Sequence, residues 1–97
     1  MRTWFPHVTV AAVIEREGRF LLVEENTVDG IRFNQPAGHL EEGESLVEAC
    51  TRESLEETAH RVVVESLVGI YQWTRPDHTI TYMRFVFACQ VLSEEAG

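Results

Sequence analysis

The chain has 97 residues, 44% of them hydrophobic and 25% charged, which supplies one ordinary core and suggests a single domain over 1–97. Sixteen acidic residues against eight basic ones leave a net charge of −8, which disfavours polymeric nucleic acid and acidic membrane surfaces as partners. All eight basic residues are arginine, so lysine Schiff-base chemistry is excluded and any phosphate contact must use guanidinium groups.

From His7 to Ile14 the chain is β-branched and compact, and Glu15-Arg16-Glu17-Gly18 breaks it with turn residues before Arg19–Glu24 resumes as a second strand. These two segments predict a hairpin. A polar stretch over Glu25–Gly30 leads into a short strand, Ile31–Gln35, after which Pro36 and Gly38 are expected to end regular pairing. Ser45 followed three positions later by Glu48 is a capping-box signature, so a helix is expected from Leu46 to Thr58. At about 100° per residue, Val47, Cys50, Thr51 and Ser54 share one side as the expected sheet-facing stripe, with Glu53, Glu56 and Glu57 on the opposite arc. Val62–Val64 and Leu67–Trp73 read as the next strand or strands, Arg75–His78 as a turn, and Thr79–Leu92 as a long final strand. No repeat or linker interrupts this order. Cys50 and Cys89 are expected in the core as free thiols. No apolar run approaches the roughly 20 residues of a membrane span, and none behind Met1-Arg2 has the length of a signal-peptide core, so the expected location is the reducing cytoplasm.

The informative pattern is Gly38, five residues, Glu44, seven residues, Arg52-Glu53, two residues, Glu56-Glu57. At the chain's own residue frequencies these six positions match by chance on the order of once in a million windows. Glu53, Glu56 and Glu57 lie three or four residues apart on one helix, so their carboxylates crowd, and like charges so placed cost a few tenths of a kcal/mol per pair. An acidic helix stripe by itself is usually a solvated face. Here the spacing favours a bound divalent cation, and oxygen ligands without His or thiolate favour Mg²⁺, or Mn²⁺ as a substitute, together with the phosphates of a substrate. Arg52 can pair with Glu48 or Glu56, and Glu44 is within its reach, so its first role is to orient carboxylates. Gly38 would let the backbone approach the cation and offer its carbonyl.

The segment Gly38–His60 resembles the signature of the Nudix hydrolases, and the flanks His7–Val13 and Asn34–Glu41 resemble the NudJ-type phosphatase branch of that family. The resemblance implies an α/β (α+β) fold in which a mixed β-sheet packs against the helix, here lacking the usual C-terminal strands and helix. It implies hydrolysis of phosphoanhydride bonds in nucleoside di- and triphosphates or related small diphosphates, by water attack on phosphorus assisted by Mg²⁺. Carried over by position, Glu53, Glu56, Glu57 and the Gly38 carbonyl would be metal ligands, and Arg52 and Glu44 the supporting pair. Ser54 and His60 stand where bulky aliphatic residues are expected, and Ala59 stands where glycine usually ends the helix, either avoiding the left-handed conformation or occupying it at roughly 1 kcal/mol.

Around this centre, Trp73 and Arg84, with Tyr71 and Gln72 beside them, are candidates to hold a base and a phosphate, and Arg32, Phe33 and Gln35 precede the metal loop in similar positions. None of the four histidines has a second histidine at ligand spacing. Two rival readings are a non-catalytic nucleotide or metal sensor and an interaction domain whose sheet leaves Phe85 and Phe87 uncovered. A homodimer would cover such a face.

Overall fold

Alternation is the first thing the tertiary structure uses. In the computed structural model, which describes residues 3–94, β1 (His7–Arg16) buries Val10, Ala12 and Ile14 on one face. Strand β7 (Thr81–Glu94) runs parallel beside it and sends Phe87 and Cys89 to the same side, as the two-residue period of a strand requires. Strand β6 (His60–Thr74) pairs antiparallel with β7 and adds Val62. Onto this face α1 (Leu46–Thr58) lays Ala49, Cys50 and Ser54, all at most 1% exposed. Leu21, Leu40, Leu46, Val64, Phe85 and Val91 close the edge of the same cluster. Cys50 and Cys89 meet inside it as free thiols, sulfurs 3.8 Å apart, and Cys50 together with burial pushes the Cys89 thiol well above its ordinary range.

The main sheet has the order β2-β1-β7-β6, with β2 spanning Arg19–Phe20 and β5 (Ala37–His39) also paired to β1. One parallel pair among antiparallel ones makes the sheet mixed, and with its helix the fold is α+β. Strand β6 runs 15 residues without a break, absorbing its misfit to β7 in bulges around Glu65 and Val68. Each bulge shifts face parity by one, so the two together return Tyr71 and Trp73 to the face away from α1, opposite Arg84 and Tyr82.

Four expectations change in three dimensions. The segment expected as one strand, Arg19–Glu24, is split: β2 (Arg19–Phe20) pairs with β1, while β3 (Val23–Thr27) pairs with β4 (Gly30–Asn34) in a separate two-stranded ribbon. Leu21 turns between them to cap the core, its N–H donating to the Ile14 carbonyl at 3.0 Å. Pairing does not end at Pro36. The buried proline needs no N–H for a ladder, its carbonyl accepts from Ala12 N at 2.9 Å, and β5 then continues along β1.

The helix is rotated from the expected stripe, since Val47 is 46% exposed and the small residue Ala49 takes the inner position, allowing close approach to the sheet. Glu53 and Glu57 therefore flank the packed face beside β5 rather than opposing it. Finally, Phe87 is buried and Phe85 packs against the core, so neither is the uncovered apolar surface. That surface is on β6, where Leu67, Val68, Ile70, Tyr71 and Trp73 are each about half exposed.

Candidate active site

The helix begins where its sequence says it should. Ser45 caps it, accepting from Glu48 N at 3.0 Å, while the Glu48 carboxylate accepts from Ser45 N at 2.9 Å. That reciprocal pair commits Glu48 to the cap and leaves Arg52 to other carboxylates. Arg52 Nε and Nη2 donate to the two oxygens of Glu44 at 2.6 and 3.0 Å, and Nη1 donates to Glu53 at 2.8 Å and Glu56 at 3.2 Å. Glu41 lies 3.6 Å from the same guanidinium. The second Glu44 oxygen contact doubles as a loop clasp, since Oε1 also accepts from Glu41 N at 3.0 Å. The Arg52 bond holds the Glu44 carboxyl below its usual range, and Glu44 and then Glu53 raise the guanidinium further.

Three consecutive residues of β5 meet three side chains of α1. Ala37 N donates to Glu57 at 3.2 Å, Gly38 lies directly against the Glu53 carboxylate, and the His39 carbonyl accepts from Arg52 Nη2 at 3.0 Å. A Cβ on Gly38 would collide with the Glu53 carboxylate, so only glycine admits that side chain at this depth. Burial, and next the neighbouring Glu53 carboxylate, push Glu57 above the ordinary carboxylate value.

Among the described residues no three His, Cys, Asp or Glu side chains converge in a cation-binding arrangement, because Arg52 draws Glu53 and Glu56 to itself. The donor set nevertheless suits a hard cation. It is all oxygen, Arg52 compensates Glu53 but makes no bond to Glu57, which Glu53 and burial leave above its ordinary value, and Glu56, 58% exposed, has room to rotate.

On the face of the sheet away from α1 lies a cleft of about 630 Å³ lined by Gln35, Tyr71, Trp73, Tyr82 and Arg84, with Thr9, Val13, Val68 and Val86 as its remaining walls. Of the residues expected to touch substrate, Gln35, Trp73 and Arg84 are brought together here. Arg32 and Phe33 are not: both are exposed on the β3–β4 ribbon. Gln72 pairs with Met83 and falls outside the lining. Tyr82 is a lining residue that sequence reasoning passed over. Its ring stacks on Trp73 with centroids 5.9 Å apart, a cross-strand neighbour fixed only by the β6–β7 register. Gly69 gives the Tyr71 hydroxyl the space that a side chain there would take.

The family model of the NUDIX domain matches residues 5–97. The chain belongs to the Nudix family. It is 48% identical over 86 residues to the protein named Phosphatase NudJ of Escherichia coli K12, an alignment covering 89% of this chain and 56% of that protein. A solved NUDIX hydrolase from Nitrosomonas europaea matches with a TM-score of 0.86 at 54% identity, over 94% of this chain and 62% of the other. A solved UDP-X diphosphatase matches with a TM-score of 0.81 at 25% identity, over 100% of this chain and 47% of its own. The chain thus spans a little over half the length of the curated relatives it matches.

Two of the three atypical positions of this Nudix helix, Ser54 and Ala59, have local solutions. Ser54, fully buried, donates its hydroxyl to the Cys50 carbonyl at 2.8 Å, so no polar atom is stranded under the helix. Ala59 does adopt the left-handed conformation, at φ 61° and ψ 20°, and its N–H closes the last turn on Leu55 O at 2.9 Å. His60 enters β6 with its backbone N–H bonded to Thr58 Oγ1 at 3.2 Å.

Proposed function

We propose that this chain carries the catalytic centre of a Mg²⁺-dependent hydrolase that cleaves phosphoanhydride bonds in nucleoside di- or triphosphates, or in related small-molecule diphosphates, by water attack on phosphorus. The observation that carries the reading is the Glu53 carboxylate laid against Gly38 with Glu57 beside it on Ala37 N, a pairing of like charges that a hard cation would make favourable. Glu53, Glu56, Glu57 and the Gly38 carbonyl would hold Mg²⁺, with Mn²⁺ as a substitute. Bound there, the cation supplies charge neutralisation and orientation for phosphate oxygens.

The rest falls to this chain's own groups. Arg52 and Glu44 hold the β5 loop and the helix carboxylates in fixed relation, a positioning role reached through two parallel guanidinium bonds. The helix glutamates are the nearby acceptors for the proton of the attacking water. In the cleft, Trp73 and Tyr71 offer aromatic surface to a base, and Arg84 and Gln35 offer donors to its polar edge or to a phosphate. A relative named as a phosphatase and a structural neighbour named as a UDP-X diphosphatase support phosphoanhydride substrates.

Release of orthophosphate by the full protein, with and without Mg²⁺, tests the reading on a panel of nucleoside and thiamine-type diphosphates. No product from any member would overturn it. A second reading, a sensor that binds without turnover, is favoured by Arg52 engaging both Glu53 and Glu56. Turnover abolished by Glu57→Gln would exclude that alternative.

We place the protein in the cytoplasm, supported by two adjacent thiols left unbridged. Among the described residues no helix is long and apolar enough to cross a membrane. A homodimer would cover Leu67 and Ile70, open apolar residues of β6 outside the aromatic cleft, and sedimentation of the full protein checks it.

A further inference from the structure

In one place outside the catalytic cluster, charge is arranged against its own cost. Arg16 and Arg19 stand directly opposite each other across the β1–β2 hairpin, in a chain with half as many basic residues as acidic ones. Like charges so placed destabilise a strand pair. Neither guanidinium is relieved by an ion pair among the described residues.

His60 supplies an independent observation. Its Nδ1 is buried and has no hydrogen-bond partner among the described residues, so the ring is held by packing and meets the cleft with its other atoms. Strand pairing and the helix end bring this imidazole to the same cleft as Arg16 and Arg19, a space of about 500 Å³ walled by Ile14, Phe20 and Leu21. Glu17 is the carboxylate on its rim.

We infer that this cleft binds a small oxyanion carried on an apolar group, with Arg16 and Arg19 gripping the anion and His60 adding a polar contact. The planar guanidinium fork matches the oxygens of a carboxylate or a phosphate, and paired forks favour a multidentate anion over a point charge. The apolar wall provides room for a ring-sized carrier that a free ion would leave unfilled. Glu17 and the carbonyl end of α1 beside His60 subtract from the attraction. None of these residues belongs to the Arg52 cluster or to the lining of the aromatic cleft.

Amide and imidazole resonances of the metal-free chain, titrated separately with phenyl phosphate, benzoate and inorganic phosphate, test the inference. Saturable shifts at Gly18, Phe20 and His60 are expected, with phenyl phosphate at least about fivefold tighter than inorganic phosphate. Whether phenyl phosphate or benzoate binds more tightly identifies the anion. Arg16→Gln with Arg19→Gln should weaken binding at least about tenfold without lowering the melting temperature, since a repulsion is removed. Arg16→Lys with Arg19→Lys, which keeps charge and loses the fork, should fall between, and His60→Gln should weaken binding about threefold. Shifts confined to Arg52 or Trp73 and Arg84, equal affinity for inorganic and phenyl phosphate, or binding unchanged in the glutamine pair would each overturn it.

Discussion

Replacing Gly38 by alanine separates the fold from the proposed metal binding. The backbone at Gly38 is not in the left-handed region, so alanine adds no conformational strain and should stabilise by about 0.4–1 kcal/mol through the unfolded chain. Against this, the new Cβ occupies the space of the Glu53 carboxylate, which is the far end of a flexible side chain and can swing away. Swinging forfeits the 2.8 Å Arg52 bond, which in a partly exposed setting is worth about 1 kcal/mol. The two effects nearly cancel, and the net stability should change by less than about 1 kcal/mol, or a melting shift within about 8 °C. Divalent affinity should not survive so well, because Glu53 leaves its place and the Gly38 carbonyl is shielded, and a loss of roughly 10- to 100-fold is expected. Thermal melts alongside Mn²⁺ titration by electron paramagnetic resonance read both quantities. In a Glu53→Ala background the clash is gone, so Gly38→Ala should add little. Unchanged Mn²⁺ affinity in Gly38→Ala, or an equal additional loss in the double variant, would refute the reasoning.

Glu57 holds its proton above the ordinary value of 4.5, so without a cation its contribution to folding is lost as pH rises through the raised value, and a divalent ion competes with that proton. The rise in melting temperature on adding Mn²⁺ should therefore be larger at about pH 8 than at about pH 5, and an equal rise at both would count against a Glu57 ligand. Glu44 has the opposite sign: its depressed value makes the Arg52 bond fully stabilising above 4.5 and lost as pH falls through the lowered value. Denaturant midpoints of Arg52→Gln should lose that acid-side slope. Ala59→Gly relieves a left-handed alanine and should raise the melting temperature by roughly 2 to 6 °C, read by calorimetry. Trp73→Ala should raise KM of the full protein for a nucleotide about tenfold with kcat little changed, and an unaltered KM would remove the aromatic cleft from the substrate path.

Much of the candidate site is local chemistry and is therefore legible in residue order. Ser45 and Glu48 announce the helix start, the three- and four-residue spacings put Glu53, Glu56 and Glu57 on one turn, and Gly38 marks the close approach, because each depends on neighbours within one helical turn or one loop. What the sequence alone leaves undecided is long-range. Whether Arg52 takes Glu48 or Glu44 is settled by the cap consuming Glu48 and by β5 docking under the guanidinium. Strand β5 hides behind Pro36, since its three-residue ladder with β1 is set by docking of the loop rather than by any propensity of Ala37, Gly38 and His39. Which of Arg32, Phe33, Gln35, Trp73 and Arg84 share a cleft depends on the β6–β7 register and its bulges and on a ribbon that leaves the main sheet. Spacing along a helix is geometry that the chain carries with it, whereas strand register and side-chain partner choice are decided by competition among distant groups once the core has closed.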